Sequence, residues 1–311
     1  DLRTKGWEAS ITWGDSFTLA SKPFNYRIMA GIGDNTSKVT KYDNPNRTLT
    51  DPYEGQQLGE IWGYVVDGYF KTDEEARNYK VDQSFVNQMI NASALDNGLH
   101  AGDLKFVDLD GNNKIEQTTS ANDRKDMKVI GNSLPRYNYN FGISADWYGI
   151  DFSVLFQGIG KQNWYPGAET SMFWGPYSRP YASFIPSDFM SQVWSEENTD
   201  AYFPRPRGYV ALGSNRELAV VNTKYLQNLA YCRLKNLSIG YILPDKWLSK
   251  IGFEKIRVYF SGENLLTFTK LHSDYIDPEQ ASASNSWKTS KSDANIYPWA
   301  KTYSFGVDIT F

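Results

Sequence analysis

Apolar and polar residues alternate without a break along the last nine positions of the chain. Tyr303, Phe305, Val307, Ile309 and Phe311 lie on one face of an extended strand, and the residues between them lie on the other face. The chain ends on a large aromatic residue, whereas the terminus of a soluble protein is usually frayed and polar. This stretch alone fits either the edge strand of a soluble β-sandwich or the closing strand of a transmembrane β-barrel.

Six further segments show the same period of two and predict strands. They lie within residues 5–13, 24–32, 137–147, 150–156, 225–243 and 256–262. Only Tyr148 and Gly149 separate the third of these segments from the fourth, which predicts a tight hairpin. Residues 60–70 form another β-prone run, and a capping pattern at Thr72 predicts a helix that continues to the neighbourhood of Ile90.

The connections between the seven strands alternate in length. Short connections and long ones take turns along the chain, in the order 14–23, 34–136, 148–149, 161–224, 244–253 and 265–301. Bacterial outer-membrane barrels have short periplasmic turns and long extracellular loops. The alternation is complete if residues 60–70 lie inside the first long connection, and the C-terminus is then periplasmic. The pattern therefore favours an all-β, antiparallel transmembrane β-barrel over the sandwich, with the three long connections outside the cell.

Seven strands are too few to close a barrel of this kind. About eight strands are needed before a barrel can close around its side chains, and bacterial barrels have even strand numbers. We therefore expect residues 1–311 to form the C-terminal portion of a larger barrel. The last strand should then pair with a strand that lies upstream of Asp1.

Composition agrees with membrane crossing by strands. Mean hydropathy is −0.54, and 15% of the residues are aromatic, including 21 Tyr and 10 Trp. The sequence lacks the run of about 20 apolar residues that a transmembrane helix needs, whereas barrel strands dilute their apolar residues with polar ones. The net charge of −4 disfavours nucleic acid as a partner. The single cysteine, Cys232, excludes a disulfide framework.

The segment from Asp108 to Ile115 matches the first half of an EF-hand calcium loop, with side-chain oxygens at positions 1, 3 and 5 and an apolar residue at position 8. Its glycine stands at position 4 instead of 6, and Thr119 occupies position 12, so a full EF-hand is excluded. The remaining hypothesis is a loop site for calcium or, as second choice, magnesium. Its ligands would be Asp108, Asp110, Asn112, the Lys114 carbonyl, and Glu116 or Asp123. The alternative is an Asp/Asn/Gly turn that binds no ion.

Catalytic residues are not indicated. His100 and His272 are the only histidines and are not spaced as zinc ligands. The Gly-x-Ser-x-Gly frame of a nucleophile elbow is missing around Ser261, and no carboxylate spacing nominates an acid–base pair. We therefore expect a protein that is not an enzyme and that holds no organic cofactor.

An aromatic-rich segment lies in the second long connection. Its candidates for contact with a ligand or a partner are Trp164, Tyr165, Phe173, Trp174 and Tyr177. Flat aromatic faces stack on sugar rings or pack on a protein surface. The alternative is a loop that folds over itself and buries its own aromatic side chains.

A set of short motifs resembles, in the same order, those of SusC/RagA-type TonB-linked outer-membrane transporters. They are Lys5-Gly6-Trp7-Glu8, Trp62-Gly63-Tyr64, Asp67-Gly68-Tyr69-Phe70, Gly102-Asp103-Leu104-Lys105-Phe106, Asp108-Leu109-Asp110-Gly111, Ile130-Gly131-Asn132-Ser133-Leu134-Pro135, Phe156-Gln157-Gly158, Tyr231-Cys232-Arg233-Leu234-Lys235-Asn236-Leu237, Gly262-Glu263-Asn264-Leu265-Leu266-Thr267, Asp277-Pro278-Glu279 and Phe311. Each motif alone is weak, but the ordered set spans the chain and is specific.

The resemblance implies the C-terminal part of a barrel that encloses a plug domain and is capped by a SusD-like surface lipoprotein. Such transporters import glycans or peptides, driven by TonB through the plug. No motif of the plug or of its TonB box is present, so both are expected upstream of Asp1. The implied location is the outer membrane of a Gram-negative bacterium, which the chain crosses several times.

The implied partners are the lipoprotein, TonB, the rest of the barrel and, at a higher level, a second transporter–lipoprotein pair in a dimer. Phe311 matches the terminal residue that helps the assembly machinery to recognise the family's barrels. The competing function is that of a secreted or surface β-sandwich that binds carbohydrate through its aromatic loops.

Overall fold

The computed structural model describes residues 1–87, 98–178, 184–206, 208–213, 216–248, 252–284, 291–292 and 297–311. Strands dominate the described part. They are β1 (Leu2–Leu19), β2 (Lys22–Val39), β3 (Glu60–Tyr64), β4 (Val66–Tyr69), β5 (Leu104–Phe106), β6 (Met127–Asn132), β7 (Arg136–Trp147), β8 (Ile150–Lys161), β9 (Asn163–Pro166), β10 (Gln227–Asn228), β11 (Tyr231–Ile242), β12 (Lys255–Thr269), β13 (Lys291–Ser292) and β14 (Thr302–Thr310). The helices are short: α1 (Asp73–Arg77), α2 (Ser171–Trp174), α3 (Asp245–Leu248) and α4 (Pro278–Ser284), besides a few 3-10 turns.

One seven-stranded sheet contains all the long strands, in the order β1-β2-β7-β8-β11-β12-β14. Every neighbouring pair in this order is antiparallel. Each strand is therefore paired with its predecessor among the seven, as in a meander. The alternation of apolar and polar residues predicts these seven strands, and β1 and β14 form the two edges of the sheet. The predicted connection at residues 14–23 is wrong in length, because β1 continues to Leu19 and β2 begins at Lys22.

Short connections lie at one end of the sheet, which we call the turn end. Residues 20–21 join β1 to β2, and residues 148–149 join β7 to β8. All four of these residues have positive φ, at 48° and 63° for Ala20 and Ser21 and at 49° and 85° for Tyr148 and Gly149. Two consecutive positive φ angles define a type I′ turn, which matches the twist of a tight hairpin.

The three long connections emerge at the opposite end, which we call the loop end. They comprise residues 40–135, 162–230 and 270–301. The β-prone run at residues 60–70 forms β3 and β4, which pair with β6 and β5 inside the first long connection rather than joining the large sheet. The sorting of short and long connections to opposite ends, as the strand pattern predicts, is confirmed.

The two faces of the sheet differ in polarity. One face carries large apolar side chains that remain exposed, among them Trp7, Ile11, Trp13, Ile143, Ile239, Phe305 and Val307. Ile11 is 65% exposed and Phe305 83% exposed, so the described part of the chain places no second sheet or helix over this face. The described sheet therefore lacks the arrangement of the competing sandwich, in which one face of each sheet is buried against the other.

The hydrophobic core lies outside the sheet, among the long connections. Its largest fully buried members are Trp164, Trp174, Tyr165, Tyr177, Tyr225, Phe106, Phe173 and Phe203. Since these residues come from the first and second long connections, the two loops fold together into one packed body at the loop end, which we call the loop body. Strand pairing therefore stabilises the sheet, whereas side-chain packing stabilises the loop body.

Helix α1 is shorter than the sequence predicts. The predicted N-terminus is confirmed, because the Thr72 hydroxyl accepts the Glu75 N–H at 3.1 Å and the Glu75 carboxylate accepts the Lys71 N–H at 2.8 Å. The helix nevertheless ends at Arg77, and the backbone N–H of Asp82 then donates to the carbonyl of Asn113. Tertiary pairing therefore overrides helix propensity here, and Ile90 lies outside the described residues.

Membrane crossing by a helix finds no support in the described part of the chain. Its longest helix, α4, has seven residues, whereas a crossing requires about 20. None of the helices that the structure describes combines the necessary length with an apolar composition.

Candidate functional site

The loop after β5 is organised by side-chain oxygens that bind its own backbone. The Asp108 carboxylate accepts the N–H groups of Gly111 and Asn113, each at 2.7 Å. The Asn112 side-chain oxygen accepts the Lys114 N–H at 2.8 Å. Asn113 and Gly111 have positive φ of 62° and 80°, which lets the chain curl around the carboxylate. The result is a tight, oxygen-rich loop.

Three carboxylates converge on this loop. Asp108, Asp110 and Asp126 each place an oxygen within 4.8 Å of the other two. Asp126 is fully buried and accepts the N–H groups of Leu109 at 2.8 Å and Glu116 at 2.7 Å. The sequence hypothesis includes Asp108 and Asp110 but misses Asp126. Asp126 lies directly before β6 and 16 positions after Asp110, and no period or spacing in the sequence connects it with the loop.

The other predicted ligands have different surroundings. Glu116 lies 3.1 Å from the Lys125 ammonium and accepts a hydrogen bond from the Asn112 amide at 3.2 Å. The Asp123 backbone closes a turn onto Ser120, and its carboxylate is outside the three-carboxylate group of the described residues. The metal hypothesis stays a prediction, and the geometry changes its ligand set from Glu116 or Asp123 to Asp126.

Asp126 is the member of the three-carboxylate group whose pKa is raised. Burial raises its pKa above the ordinary value, and the charges of Asp110 and Asp108 raise it further, against the hydrogen bonds from Glu116 and Leu109 that lower it. A buried carboxyl beside two others is a costly arrangement for an anion. A divalent cation bound among the three would remove that cost, and oxygen ligands on a tight loop are what calcium prefers.

The aromatic-rich segment is packed inside the loop body. Trp164, Tyr165, Phe173, Trp174 and Tyr177 are each at most 2% exposed. Their polar atoms are used internally: Tyr165 donates to the Leu218 carbonyl at 2.8 Å, and Trp174 donates to the Gly167 carbonyl at 2.9 Å. The structure therefore favours the alternative in which the loop buries its own rings. A contact role for these five residues would require the loop to open.

A histidine joins the second long connection to the third. His272 stacks on Tyr202, with ring centroids 3.4 Å apart and planes 14° from parallel. Its Nε2 lies 2.8 Å from the Gln192 side-chain oxygen, which places the ring within hydrogen-bonding distance of the second long connection. Burial lowers the pKa of His272, and the nearby Lys224 adds to that effect while Asp274 opposes it. Sequence reasoning missed this contact because it links residues 70 or more positions apart.

Three of the sequence motifs meet at the loop end of β11. Arg233, which is 1% exposed, donates to Asp277 at 2.6 Å, to Glu279 at 2.8 Å and to the Thr267 hydroxyl at 3.0 Å. Asp277 also accepts the Glu279 N–H at 2.9 Å and so caps the start of α4. Lys235 adds a second cation at 2.8 Å from Glu279. The third long connection is therefore tied to the sheet by buried charges.

Phe311 lies at the turn end of the sheet. It is 80% exposed, and its ring centroid is 5.1 Å from that of Phe253 in the connection between β11 and β12. The Glu254 N–H donates to the Thr310 carbonyl at 2.9 Å and holds the end of β14 against this connection. The ring is therefore positioned by one neighbour and otherwise open to contact.

Known proteins agree with this architecture. A scan of the chain against models of protein families finds no match. Three TonB-dependent receptors of Formosa agariphila, called P3, P39 and P26, align with all of the chain at 26%, 25% and 23% identity. The chain is similar to TonB-dependent receptors along its whole length. It spans about 29–30% of the length of these relatives. The resemblance that the ordered motifs predict is thus confirmed.

Solved structures add the fold. The RagAB peptide importer in its open-open state matches 99% of the chain with a TM-score of 0.63 and 18% identity. Its closed-closed state matches the same share with a TM-score of 0.61 and 19% identity. In both cases the match covers 29–30% of the solved chain. The fold class is therefore a portion of an antiparallel transmembrane β-barrel, as the strand pattern predicts.

Proposed function

We propose that this chain is the C-terminal portion of a SusC/RagA-type, TonB-dependent importer of an oligomeric nutrient, either a glycan or a peptide. The observation that carries the proposal is the seven-stranded antiparallel sheet with an exposed apolar face, in a chain that aligns throughout with TonB-dependent receptors. An apolar outer face and a polar inner face are what a barrel wall in lipid requires. The relatives are receptors, which supports a transport role rather than an enzymatic one.

The arrangement of connections supports one orientation. The short connections and Phe311 would face the periplasm, and the long connections that carry the loop body would lie outside the cell. The loop body would then be the surface that meets a SusD-like lipoprotein, and the polar face of the sheet would enclose a plug on which TonB acts. The RagAB peptide importer, which shares the fold, supports this assembly. A dimer of such pairs completes the proposal.

The experiment uses the full-length protein in a Gram-negative host. We expect it to fractionate with the outer membrane, to require detergent for extraction, and to support growth on its oligomeric nutrient only when TonB is present. A matched strain that lacks TonB separates active import from passive leakage. Recovery of the protein in the soluble fraction, or equal uptake with and without TonB, would refute the proposal.

We further propose that the loop of Asp108 and Asp110 binds calcium together with Asp126. Support comes from the convergence of three carboxylates and from the raised pKa of the buried one. Such an ion would stabilise the first long connection where β5, β6 and the turn at Asp82 meet. Calorimetric titration of the intact protein with calcium tests this proposal.

A further inference from the structure

A cleft of about 780 Å³ lies in the first long connection, and neither the three carboxylates near Asp108 nor the buried aromatic cluster lines it. Three parts of the connection line it: residues between Tyr42 and Trp62, the stretch from Gln117 to Thr119, and two residues at β6, Met127 at its start and Ser133 just after its end. A volume of this order accommodates a small organic ligand or one unit of a polymer.

Strand β3 forms one wall of the cleft. Ile61 is fully buried in the loop body. Gly63 is also buried, and it packs so closely that a side chain at this position would clash with Val221 and Ile130. Residues at alternate positions of a strand share a face. Glu60 and Trp62 therefore lie on the opposite face and line the cleft. The buried residues of β3 hold the strand in position, and the strand in turn directs the side chains of Glu60 and Trp62 into the cleft.

The carboxylate of Glu60 is held in place before any ligand arrives. One of its oxygens accepts the Tyr53 hydroxyl at 2.6 Å, and the other accepts the Gln57 N–H at 2.9 Å. Each oxygen keeps a further acceptor site, because a carboxylate offers about four lone pairs. Gln56 is anchored by the Tyr53 N–H at 3.4 Å. Preorganised acceptors of this kind lose little conformational entropy when they bind a hydroxyl group.

The rest of the lining combines ring faces with neutral hydrogen-bonding groups. Trp62 is half-buried and Tyr42 is 47% exposed, so two aromatic side chains reach the cleft. Gln117 and the flanking threonines add amide and hydroxyl groups. Among the described lining residues there are two acids, Asp51 and Glu60, and no lysine or arginine. An anionic ligand would therefore meet repulsion without a compensating base.

We propose that this cleft binds a neutral pyranose unit of a glycan. An aromatic face for the sugar ring, with carboxylate and amide groups for its hydroxyls, matches that chemistry. A basic peptide fits less well, because the hydrogen bonds from Tyr53 and Gln57 already offset the charge of Glu60, and Asp51 lies exposed at the rim, where water and salt screen its charge. The inference rests on the proposed import function and narrows its cargo from glycan or peptide to a neutral glycan.

The test is binding of neutral sugars to the full-length protein in detergent, measured by saturation-transfer NMR. The probes are glucose, galactose, mannose and xylose, with galacturonic acid and pentalysine as charged comparisons. We expect at least one neutral sugar to bind. Trp62→Ala should weaken that binding about tenfold, whereas Trp62→Phe, which keeps a ring face, should retain most of it. Phe268→Ala is the matched control, because Phe268 is an exposed aromatic residue that does not line the cleft.

Each result decides the inference. Binding of a neutral sugar that depends on Trp62 and not on Phe268 supports it, provided that the variants keep the tryptic digestion pattern of the wild type. Binding of pentalysine or galacturonic acid alone, no sugar binding, or binding that survives Trp62→Ala would overturn it. If TonB-dependent uptake persists in those cases, the proposed import function stands and only the assignment of the cleft fails.

Discussion

The guanidinium of Arg233 donates a hydrogen bond of 2.6 Å to the carboxylate of Asp277, and both side chains are almost fully buried. The two residues are 44 positions apart in the sequence. Arg233 belongs to a strand of the barrel wall, whereas Asp277 begins the helix of the third long connection. A buried ion pair adds little net stability by itself, but removing one partner leaves an unpaired charge in a place that water cannot reach.

Replacement of Arg233 by alanine should therefore detach the third long connection. We expect a loss of roughly 3–5 kcal/mol in the stability of the loop, because Asp277 and Glu279 would both lose their shared cation. Limited proteolysis within residues 270–301, followed over time, measures the effect. Lys235→Ala is the control, and it should cost less because Glu279 keeps its bond to Arg233. Equal protease resistance in Arg233→Ala and the wild type would contradict the prediction.

The wall of the barrel could be read from the sequence because lipid imposes a simple rule. In a strand between lipid and a polar interior, apolar and polar residues must alternate at every position. The spacing of Phe24, Tyr26 and Ile28 therefore predicts β2 without information about the neighbouring strands. Two-residue turns fix the register of the hairpins, as Tyr148 and Gly149 do for β7 and β8. Both signals involve residues that are adjacent in the chain, so a single sequence is enough to detect them.

The loop body could not be predicted in the same way. Its contacts join distant positions, such as Asp126 with Leu109 and His272 with Tyr202, and no period or spacing indicates them. An apolar residue in a loop also gives no clue as to whether it is exposed for a partner or buried in a local core. Trp164 and Phe173 are buried, and only the packing of two whole connections decides this.

Substitution at Gly306 should disturb the wall itself. Gly306 pairs with Tyr259 across β14 and β12, and the Tyr259 ring lies where a Cβ on Gly306 would have to be. The Arg257 guanidinium lies 4.7 Å above the same ring. Gly306→Ala should therefore displace the ring and cost roughly 1–3 kcal/mol of barrel stability.

Gly14 supplies the matched control for this change. It also lies in a strand of the sheet, but a Cβ there meets one backbone oxygen at 3.5 Å, which is an ordinary contact. Gly14→Ala should be neutral or stabilising by about 0.5–1 kcal/mol, since alanine restricts the unfolded chain. Urea unfolding of both variants in detergent measures the difference. Equal stability of the two variants would show that the Tyr259 ring accommodates the change without strain.

Calcium binding distinguishes the ligand set of the sequence hypothesis from that of the structure. Asp108→Ala, Asp110→Ala and Asp126→Asn should each abolish or strongly weaken the calorimetric signal of calcium, since all three carboxylates face one point. Asp123→Ala should leave the signal unchanged, because Asp123 lies outside that group. Retention of the signal in Asp108→Ala and Asp110→Ala would exclude the site.

The contact of His272 with Tyr202 should weaken in acid. The pKa of His272 lies below its ordinary value of 6.5 because burial disfavours the charged ring. The contribution of the neutral ring to stability is present above pH 6.5 and is lost as the pH falls through the lower pKa of the folded state. The protection factors of backbone amides in residues 189–206 and 270–276, which are corrected for the intrinsic pH dependence of hydrogen exchange, should therefore fall over this window. His272→Gln, which can still bond Gln192 but does not titrate in this range, should remove the pH dependence.

Phe311 makes separate predictions for packing and for recognition. Its ring packs on Phe253, yet most of its surface is free. If the terminal aromatic residue serves only packing, Phe253→Ala and Phe311→Ala should reduce the yield of folded barrel equally. If the assembly machinery recognises it, as the resemblance implies, Phe311→Ala should reduce the amount of protein in the outer membrane far more than Phe253→Ala does.

Membrane fractionation after a pulse of synthesis measures both yields. Refolding of the two purified variants in detergent shows whether their intrinsic stabilities differ. A deficit of Phe311→Ala that appears in cells but not in detergent supports recognition, and an equal deficit in both settings assigns Phe311 to packing.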